Sequence, residues 1–271
     1  AHLENLGSRD GILKAKTEMF AYMNPKGTII LNGDDDKLIS FTPENGIAPT
    51  YFGLDASHPF HAENVANLGL KGSEADFVTP DSRFHAHISI PGSHMVYNAL
   101  AGIAVGYALD MTDEEIARGI EANVTIAGRN NIIETDHYTI IDDCYNANPA
   151  SMKASIDVLA FADTRTVAIL GDMFELGSDS EKMHYGVGVH AAETGINVLI
   201  CIGELSAATV QGAEEAAEKK GTPMEIRHFQ TKEDFFRDSG SILTKNDTVL
   251  IKASHGMGFA EIVDTLKNQQ G

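Results

Sequence analysis

The sequence is poor in several residue types, and each scarcity excludes a class of protein. It has no tryptophan, only two cysteines in 271 residues, and 20 Lys and Arg against 39 Asp and Glu, for a formal charge of −19. Two cysteines cannot form the disulfide framework of a small secreted domain, so a reducing, cytoplasmic location is predicted. The acidic balance argues against broad nucleic-acid binding, because that needs a basic surface.

Long hydrophobic runs and a phosphate-binding loop are also missing. No apolar run approaches the roughly 20 residues of a membrane span, so no membrane insertion is expected. The pattern Gly-x-x-x-x-Gly-Lys-Ser/Thr does not occur, and the chain begins with Ala1 rather than Met. Together these features predict a fragment or a processed chain.

Short β-rich runs alternate with longer helical segments, and this alternation predicts an α/β fold with largely parallel strands. A helix is predicted over Ser8–Met23 and a strand over Thr28–Leu31, in a first domain of residues 1–127. The second domain, residues 128–271, has the regular alternation of a complete doubly wound sheet. Its predicted strands are Tyr138–Asp142, Thr166–Leu170, Asn197–Ile202, Glu225–His228 and Thr248–Ile251. Its predicted helices are Ser151–Phe161, Ser180–Glu193, Ser206–Lys219, Lys232–Asp238 and Phe259–Lys267.

Polar residues and glycines follow four of the strands predicted for the second domain. Asp143 follows one strand, Asp172 a second, Glu204 a third and Lys252 a fourth. In an open parallel sheet, ligands bind beyond the carboxyl ends of the strands. Any one of these segments by itself is better explained as an ordinary turn, since turns are made of such residues. Four together, with a lysine among them, favour a ligand site.

Two further positions suit a nucleotide, although each has an ordinary structural explanation. His94 and Asn98 lie four residues apart at the start of a predicted helix, and an asparagine amide can bind an adenine edge through two hydrogen bonds. Spacing alone favours a simple helix start with solvent-facing polar groups. Arg129 lies at the domain junction, where its guanidinium fits either phosphate oxygens or an inter-domain salt bridge.

A metal site is the sharpest alternative from residue types alone. His85 and His87 alternate onto one face of a predicted strand, and His58 and His61 are close in sequence, so four histidines are available for zinc or another transition metal. A solvated strand face is the commoner cause of such a pair. The acidic run Asp34–Asp36 offers oxygen ligands, but no EF-hand spacing follows it.

Several strings together resemble the Mur ligase family, and the resemblance covers essentially the whole chain. The most specific are Tyr145-Asn146-Ala147-Asn148-Pro149 and the segment Leu170–Gly177, which are most similar to the branch that adds D-alanyl-D-alanine. The other matching strings are Ala1–Ser8, Lys14–Phe20, Pro91–Ala101, Ala127–Arg129, His184–Gly188 and Lys252–Met257.

This resemblance implies both a fold and a reaction. The expected fold is part of the family's ATP-binding central domain, followed by a Rossmann-like C-terminal ligase domain. The expected reaction transfers the γ-phosphate of ATP to the terminal carboxylate of UDP-N-acetylmuramoyl-tripeptide, and the amine of D-alanyl-D-alanine then attacks the acyl phosphate. ATP and Mg²⁺ are the implied cofactors, and the full-length enzyme is expected to be a monomer.

The resemblance also implies residue roles. Lys16 matches the family's carbamylated lysine, whose oxygens suit a hard Mg²⁺ ion, and His2 matches the other position at the metal. The nucleotide-binding positions are His94, Asn98, Arg129 and Asp143. The catalytic positions are Lys16, Arg129 and Lys252. The substrate-binding positions are Tyr145, Asn146, Asn148, Ser254 and His255.

Two departures from the family pattern stand out. The family needs a phosphate loop that this sequence lacks, so the chain by itself is expected to be inactive. The last motif often carries arginine where this chain has His255, which weakens the expected contact or makes it depend on pH. Two alternatives stay open. One is a related Mur or folylpolyglutamate-type ligase that adds another amino acid, and the other is a non-catalytic nucleotide-binding module.

Overall fold

A computed structural model describes residues 8–43, 46–221 and 223–268, and it divides between Val124 and Thr125 into two compact units. We call them the N-terminal unit and the C-terminal unit. The domain boundary predicted between residues 127 and 128 lies slightly further along the chain and stays a prediction.

The N-terminal unit is a five-stranded mixed sheet with helices. Its strands lie in the order β1-β2-β3-β4-β5, with β1, β2 and β3 parallel and β3, β4 and β5 antiparallel. The strands are β1 (Ile30–Asn32), β2 (Thr50–Gly53), β3 (Phe60–Asn67), β4 (Ser73–Val78) and β5 (Arg83–Ile88). The helices are α1 (Arg9–Thr17), α2 (His94–Ala108) and α3 (Asp113–Glu121), with 3₁₀ turns at Glu18–Tyr22 and Gly69–Lys71.

One face of this sheet is covered by the apolar helix α2. Leu100 and Ile103 of α2 are fully buried against Phe77 of β4, and Ile116 of α3 joins the same core. Burial of this kind stabilises the fold by roughly 1.5–3 kcal/mol for each large side chain. Thr112 begins α3 with a capping box to Glu115, as its Thr-x-x-Glu pattern indicates.

One prediction for this unit needs correction. The helix predicted over Ser8–Met23 is α-helical only to Thr17, whose hydroxyl donates to the Leu13 carbonyl at 2.8 Å, and a 3₁₀ turn follows. Most strand pairs of the two sheets together are parallel, as predicted, but β3, β4 and β5 are joined by short connections that reverse the chain and pair antiparallel. Short connections permit antiparallel pairing, whereas parallel strands need a crossover.

The C-terminal unit is a six-stranded sheet in the order β10-β9-β8-β11-β7-β6, parallel except for the antiparallel edge strand β6. Its strands are β6 (Asn131–Glu134), β7 (Tyr138–Asp142), β8 (Thr166–Gly171), β9 (Val198–Ile202), β10 (Glu225–Phe229) and β11 (Asp247–Lys252). Its helices are α4 (Pro149–Leu159), α5 (Ser180–Thr194), α6 (Ala207–Lys220), α7 (Lys232–Ile242) and α8 (Ala260–Lys267), with 3₁₀ turns at Gly177–Asp179 and His255–Met257.

Both faces of the central strands are buried, which is why these strands are continuous apolar runs. All residues of β8, β9 and β11 are buried, and residues of α7 and α8 pack with alternate strand residues in one core cluster. The free thiols of Cys144 and Cys201 are buried too. Burial, with the nearby Asp142 carboxylate, raises the pKa of the Cys144 thiol to about 12.

The five predicted strands and five predicted helices of this unit all occur, with boundaries shifted by a few residues. Strand β6 was not predicted, because it is short and half-buried and its sequence shows no alternation of apolar and polar residues. Among the described residues, no helix combines the length and apolar character required to cross a membrane.

Candidate functional site

The carboxyl ends of β7, β11 and β8 form one edge of the C-terminal sheet, because these three strands are parallel neighbours. The segments that follow them are in direct contact. The Lys252 ammonium lies 2.5 Å from the Asp143 carboxylate, and the Ser254 amide donates to the Asp172 carbonyl at 3.0 Å. The structure thus brings together the segments that carry Asp143, Asp172 and Lys252, and no hydrogen bond or ion pair joins Glu204, which follows β9, to them within the described residues.

Lys252 and Asp143 form a buried ion pair at this edge. Lys252 is 2% exposed, and the exposed fraction of the Asp143 side chain is 13%. Lys252 Nζ also donates to the carbonyls of Asn146 at 3.0 Å and of Asp143 at 3.3 Å. The Asp143 carboxylate accepts from Ser155 Oγ at 2.6 Å and from the Asn130 amide at 3.1 Å. Every polar group of the pair is therefore satisfied within the protein.

Arg129 lies on the same edge and is exposed, in contrast to Lys252. Its guanidinium carbon is 4.1 Å from the centroid of the Tyr145 ring, within the range of a cation–π contact. The His255 ring lies 5.5 Å from Tyr145, centroid to centroid. Three predicted site residues thus form an exposed cluster of one cation and two aromatic rings.

Ser254 and Asn148 use their side chains to hold the surrounding chain. Ser254 Oγ accepts from the Phe174 amide at 2.8 Å and is itself buried. Asn148 caps α4 by accepting from the Ser151 amide at 2.9 Å. Asn146 is exposed, and its backbone carbonyl rather than its amide group contacts Lys252.

His184, which belongs to one of the matching strings but was given no site role, fixes the loop after β8. His184 is fully buried, with Nε2 accepting from the Met173 amide at 2.9 Å and Nδ1 positioned 2.8 Å from the Ser180 carbonyl. This arrangement requires the neutral ring, since an imidazolium has no acceptor. These hydrogen bonds of His184 hold the loop that carries Phe174, whose side chain is 42% exposed beside the site.

In the N-terminal unit, Asn98 lines a cavity of about 230 Å³ between α2 and α3. Asn98 is exposed, and its amide nitrogen lies 3.2 Å from Met95 Sδ. His94 is half-buried one turn earlier on α2. Other residues around this largely apolar cavity are Gly102, Gly106, Glu115, Ile116 and Asn123.

A hydrogen-bonded cluster around Asp34, after β1, was not predicted as a unit. The Asp34 carboxylate accepts from the Leu54 amide at 2.6 Å and the Tyr97 hydroxyl at 3.0 Å, and it lies 3.1 Å from His58 Nε2. Partial burial acts to raise the pKa of Asp34, but these hydrogen bonds outweigh it and lower the pKa overall. From the sequence, Asp34–Asp36 and His58 were predicted only as separate possible metal ligands. In the structure Asp34 and His58 are packed closely, since a Cβ on Gly33 would clash with the His58 ring and one on Gly53 with the Asp34 carboxylate.

The metal-site predictions receive no support from the described residues. Lys16 is exposed on α1, and His2 lies outside the described residues. The part of the chain that the structure describes holds no group of three or more His, Cys, Asp or Glu side chains arranged for a metal ion. His85 instead lies 3.0 Å from the Asp76 carboxylate, and His87 lies 3.0 Å from the Lys71 carbonyl.

The chain belongs to the Mur ligase family. The family model for the Mur ligase middle domain matches residues 1–106, and the model for the Mur ligase glutamate ligase domain matches residues 128–255. The predicted fold class, a Mur ligase central-type domain followed by a Rossmann-like C-terminal domain, is confirmed by these matches.

Three individual relatives indicate which branch of the family this chain is similar to. The Bacillus subtilis UDP-N-acetylmuramoyl-tripeptide–D-alanyl-D-alanine ligase is 32% identical over 98% of this chain. The crystal structure of MurF from Acinetobacter baumannii has a TM-score of 0.85 and 27% identity, covering 99% of this chain and 58% of that one. The Thermotoga maritima MurF ligase, solved in complex with ADP, has a TM-score of 0.81 and 23% identity, covering 98% and 59%. The chain spans 57% of the length of the B. subtilis relative.

Proposed function

We propose that this chain forms part of an ATP-dependent ligase of peptidoglycan precursor synthesis, which joins D-alanyl-D-alanine to UDP-N-acetylmuramoyl-tripeptide. The observation that carries the proposal is the similarity to the B. subtilis ligase across nearly the whole chain. The strings around Tyr145 and Met173, whose resemblance to the branch that adds D-alanyl-D-alanine was noted from the sequence, lie on one edge of the C-terminal sheet. The predicted cytoplasmic location is part of the same proposal.

The proposed reaction has two steps. The tripeptide carboxylate attacks the γ-phosphate, which leaves ADP and an acyl phosphate. The dipeptide amine then attacks the acyl carbon, an amide bond forms, and inorganic phosphate departs with its bonding electron pair. Negative charge on phosphate oxygens develops in both steps, and an exposed guanidinium such as that of Arg129 is suited to stabilise it.

The base of ATP is proposed to bind at Asn98. An asparagine amide both donates and accepts, which matches the adenine edge, and the adjoining cavity between α2 and α3 is lined mainly by apolar groups. His94 is proposed to lie on the nucleotide side of the same helix.

The proposed substrate side is the exposed face around Tyr145, Asn146 and His255. Aromatic rings offer apolar surface for alanyl methyl groups, while the histidine offers a donor for a carboxylate. Asn148 and Ser254 act there through the helix cap and the loop that they hold.

Magnesium is the other cofactor that the resemblance implies. An unmodified Lys16 ammonium is a cation and cannot ligate Mg²⁺, and the described residues offer no ligand group around it. The residues present therefore do not by themselves fit the ion, and no step is assigned to it. Carbamylation of Lys16 and a role for His2 stay predictions.

The activity is tested on the product of the complete reading frame that encodes this sequence. We expect ADP release that requires both UDP-N-acetylmuramoyl-tripeptide and D-alanyl-D-alanine. ADP release that instead depends on a single amino acid, such as glutamate, would show that the protein is one of the related ligases that add another amino acid. Absence of any amine-dependent release would reject a ligase function.

Nucleotide binding is tested separately by calorimetry with a non-hydrolysable ATP analogue. We expect Asn98→Ala to weaken binding by about tenfold, the equivalent of roughly 1.4 kcal/mol, because a bidentate base contact is lost. Gln211→Ala, an exposed amide on α6, is the matched control and should bind as the parent does. Equal affinity of Asn98→Ala and the parent would place the base elsewhere.

A further inference from the structure

We propose that the Lys252–Asp143 pair is a positioning device for Arg129, and that Lys252 does not itself contact substrate. The inference deepens the ligase function proposed above and rests on it. It assigns to a strand-end lysine a role different from the catalytic one that the resemblance implies.

The hydrogen-bonding capacity of Lys252 is already used. An ammonium has three donors, and here three acceptors surround it: the Asp143 carboxylate, the Asp143 carbonyl and the Asn146 carbonyl. At 2% exposure no donor is left to point into solvent. Turning towards a substrate would leave the Asp143 carboxylate buried without its counter-ion, which strongly opposes such a movement.

The Asp143 carboxylate is committed in the same way. Its Oδ2 accepts from Lys252 and Ser155, and its Oδ1 accepts from the backbone amide of Asn130. Lys252 therefore neutralises the charge of a carboxylate whose other oxygen holds the residue directly after Arg129.

The residue directly before Arg129 is held by the neighbouring carboxylate. The Gly128 amide donates to Asp142 Oδ2 at 2.7 Å, and the Gly128 carbonyl accepts from the Tyr145 amide at 2.9 Å. Consecutive aspartates thus hold the backbone amides on both sides of one arginine.

The held backbone is in an unusual conformation. Gly128 has φ = 80° and Asn130 has φ = 49°, so a left-handed residue stands on each side of Arg129. Glycine adopts this conformation without strain, and asparagine tolerates it better than most other residues, so the two positions allow the chain to turn on both sides of Arg129. The two carboxylates fix the amides of Gly128 and Asn130 in this turn, and the Arg129 guanidinium carbon lies 4.1 Å from the centroid of the Tyr145 ring.

The two cations of this edge consequently have different roles. Arg129 is exposed, and no ion pair engages it within residues 8–43, 46–221 and 223–268, so its charge remains available for an anionic group. Lys252 is buried and neutralised. An available guanidinium on a rigidly held turn is suited to bind phosphate. Lys252 contributes indirectly, because it keeps in place the Asp143 carboxylate that holds this turn.

The test is a double-mutant cycle in the complete ligase between Lys252→Met and Arg129→Ala. Lys252→Met should lower kcat/KM for ATP at least about tenfold in the parent, but less than about twofold when Arg129 is already alanine, because both changes remove the same interaction. Equal losses in both backgrounds, with KM raised for the dipeptide or tripeptide instead, would overturn the proposal. Lys219→Met, an exposed lysine on α6, is the control.

A milder variant covers the case in which Lys252→Met fails to fold. Ser155→Ala removes one hydrogen bond to Asp143 from α4 without touching either cation. It should change kcat/KM for ATP in the same direction by about two- to fivefold, and this change should vanish beside Arg129→Ala.

Amide hydrogen exchange supplies a readout that does not depend on activity. Ser155→Ala and Lys252→Met should accelerate exchange in residues 126–131, since both changes weaken the hydrogen bond from the Asn130 amide to the Asp143 carboxylate. Unchanged exchange there would reject the positioning role even in an active ligase. Accelerated exchange in a protein without ligase activity would reject the proposed function while leaving the positioning device standing.

Discussion

One ion pair in each unit shows how differently a charge can be placed. In the C-terminal unit, Lys252 and Asp143 meet below the surface at the ends of parallel strands. In the N-terminal unit, Arg83 bridges Asp76 and Glu63 across the exposed face of β3, β4 and β5. A buried pair must keep its partner and so fixes geometry, whereas an exposed pair is screened by water and contributes little. The difference indicates which charges organise a site and which serve a solvated sheet face.

The two units also differ in how closely their helices pack. In the C-terminal unit, α5 and α6 touch backbone to backbone, because a Cβ on Gly188 would lie 1.8 Å from the Thr209 carbonyl oxygen. In the N-terminal unit, α2 meets α3 through a side chain, since a Cβ on Gly106 would lie 2.9 Å from Ile116 Cγ1. Backbone cannot move aside as a side chain can, so the C-terminal unit should tolerate less change.

The largest expected effect is that of Gly188→Ala. The added methyl group meets backbone, so α5 and α6 must separate, and we expect a loss of more than about 3 kcal/mol in the free energy of unfolding. Chemical denaturation followed by circular dichroism measures it.

Gly186→Ala, in the same helix, is the matched control. Nothing lies within 4 Å of its Cβ position, so only helix propensity acts, and we expect a gain of about 0.5–1 kcal/mol. Similar free energies for the two variants would show that α5 and α6 are not in close contact in solution.

A smaller effect is expected for Gly106→Ala. The new methyl group displaces Ile116 and contacts Met111 Sδ at 3.5 Å, so overpacking of about 1–2 kcal/mol is offset in part by the better helix propensity of alanine. Gly102→Ala, which faces open space, should be neutral or stabilising. If Gly106→Ala proved as damaging as Gly188→Ala, the contrast between the two packing modes would be lost.

The smallest expected effect concerns the exposed charges, and it depends on pH. Hydrogen bonds from Asn64, Arg83 and His85 lower the pKa of Asp76 strongly below the ordinary value of 3.8. The native carboxylate binds a proton less readily than the unfolded one, so its stabilising contribution is present above about pH 4 and is lost as the pH falls towards the native pKa.

Asp76→Asn removes that contribution. The variant should therefore melt slightly below the parent at about pH 6, and the two melting temperatures should converge as the pH is lowered towards about 2. A constant difference from pH 6 to pH 2 would mean that the charge of Asp76 is irrelevant and that only its shape matters. Added salt should reduce the difference at pH 6.

Sequence patterns predicted the C-terminal unit better than the N-terminal unit. Its parallel strands are buried on both faces, so each appears as an uninterrupted apolar run such as Val167–Leu170. Strand β6 was not predicted, because this edge strand has half-buried residues and contains no such apolar run. In the N-terminal unit, the antiparallel pairing of β3, β4 and β5 was not predicted, since periodicity reports burial and not the direction in which neighbouring strands run.

The candidate site was predictable in its location but not in its internal roles. Parallel neighbours bring Asp143 and Lys252 to one edge, and strand-end position alone indicates this. Neither residue type nor spacing reveals that Lys252 is buried with all its donors used, while Arg129 is left exposed. The Asp34 cluster was missed because Leu54, His58 and Tyr97 are distant from Asp34 in sequence, and the role of His184 was missed because its partners are backbone groups, which sequence does not reveal.

The amino-acid sequence by itself determined the α/β class, the elements of the C-terminal unit, the edge on which polar residues gather, and the resemblance to the Mur ligase family. These follow from local periodicity and from strings of residues, which a linear chain displays directly. Only the tertiary structure decided which lysine or arginine keeps an available charge, and which glycines touch backbone. Burial and pairing depend on residues more than 100 positions apart, such as Asp143 and Lys252, and they exist only once the sheet has brought those residues together.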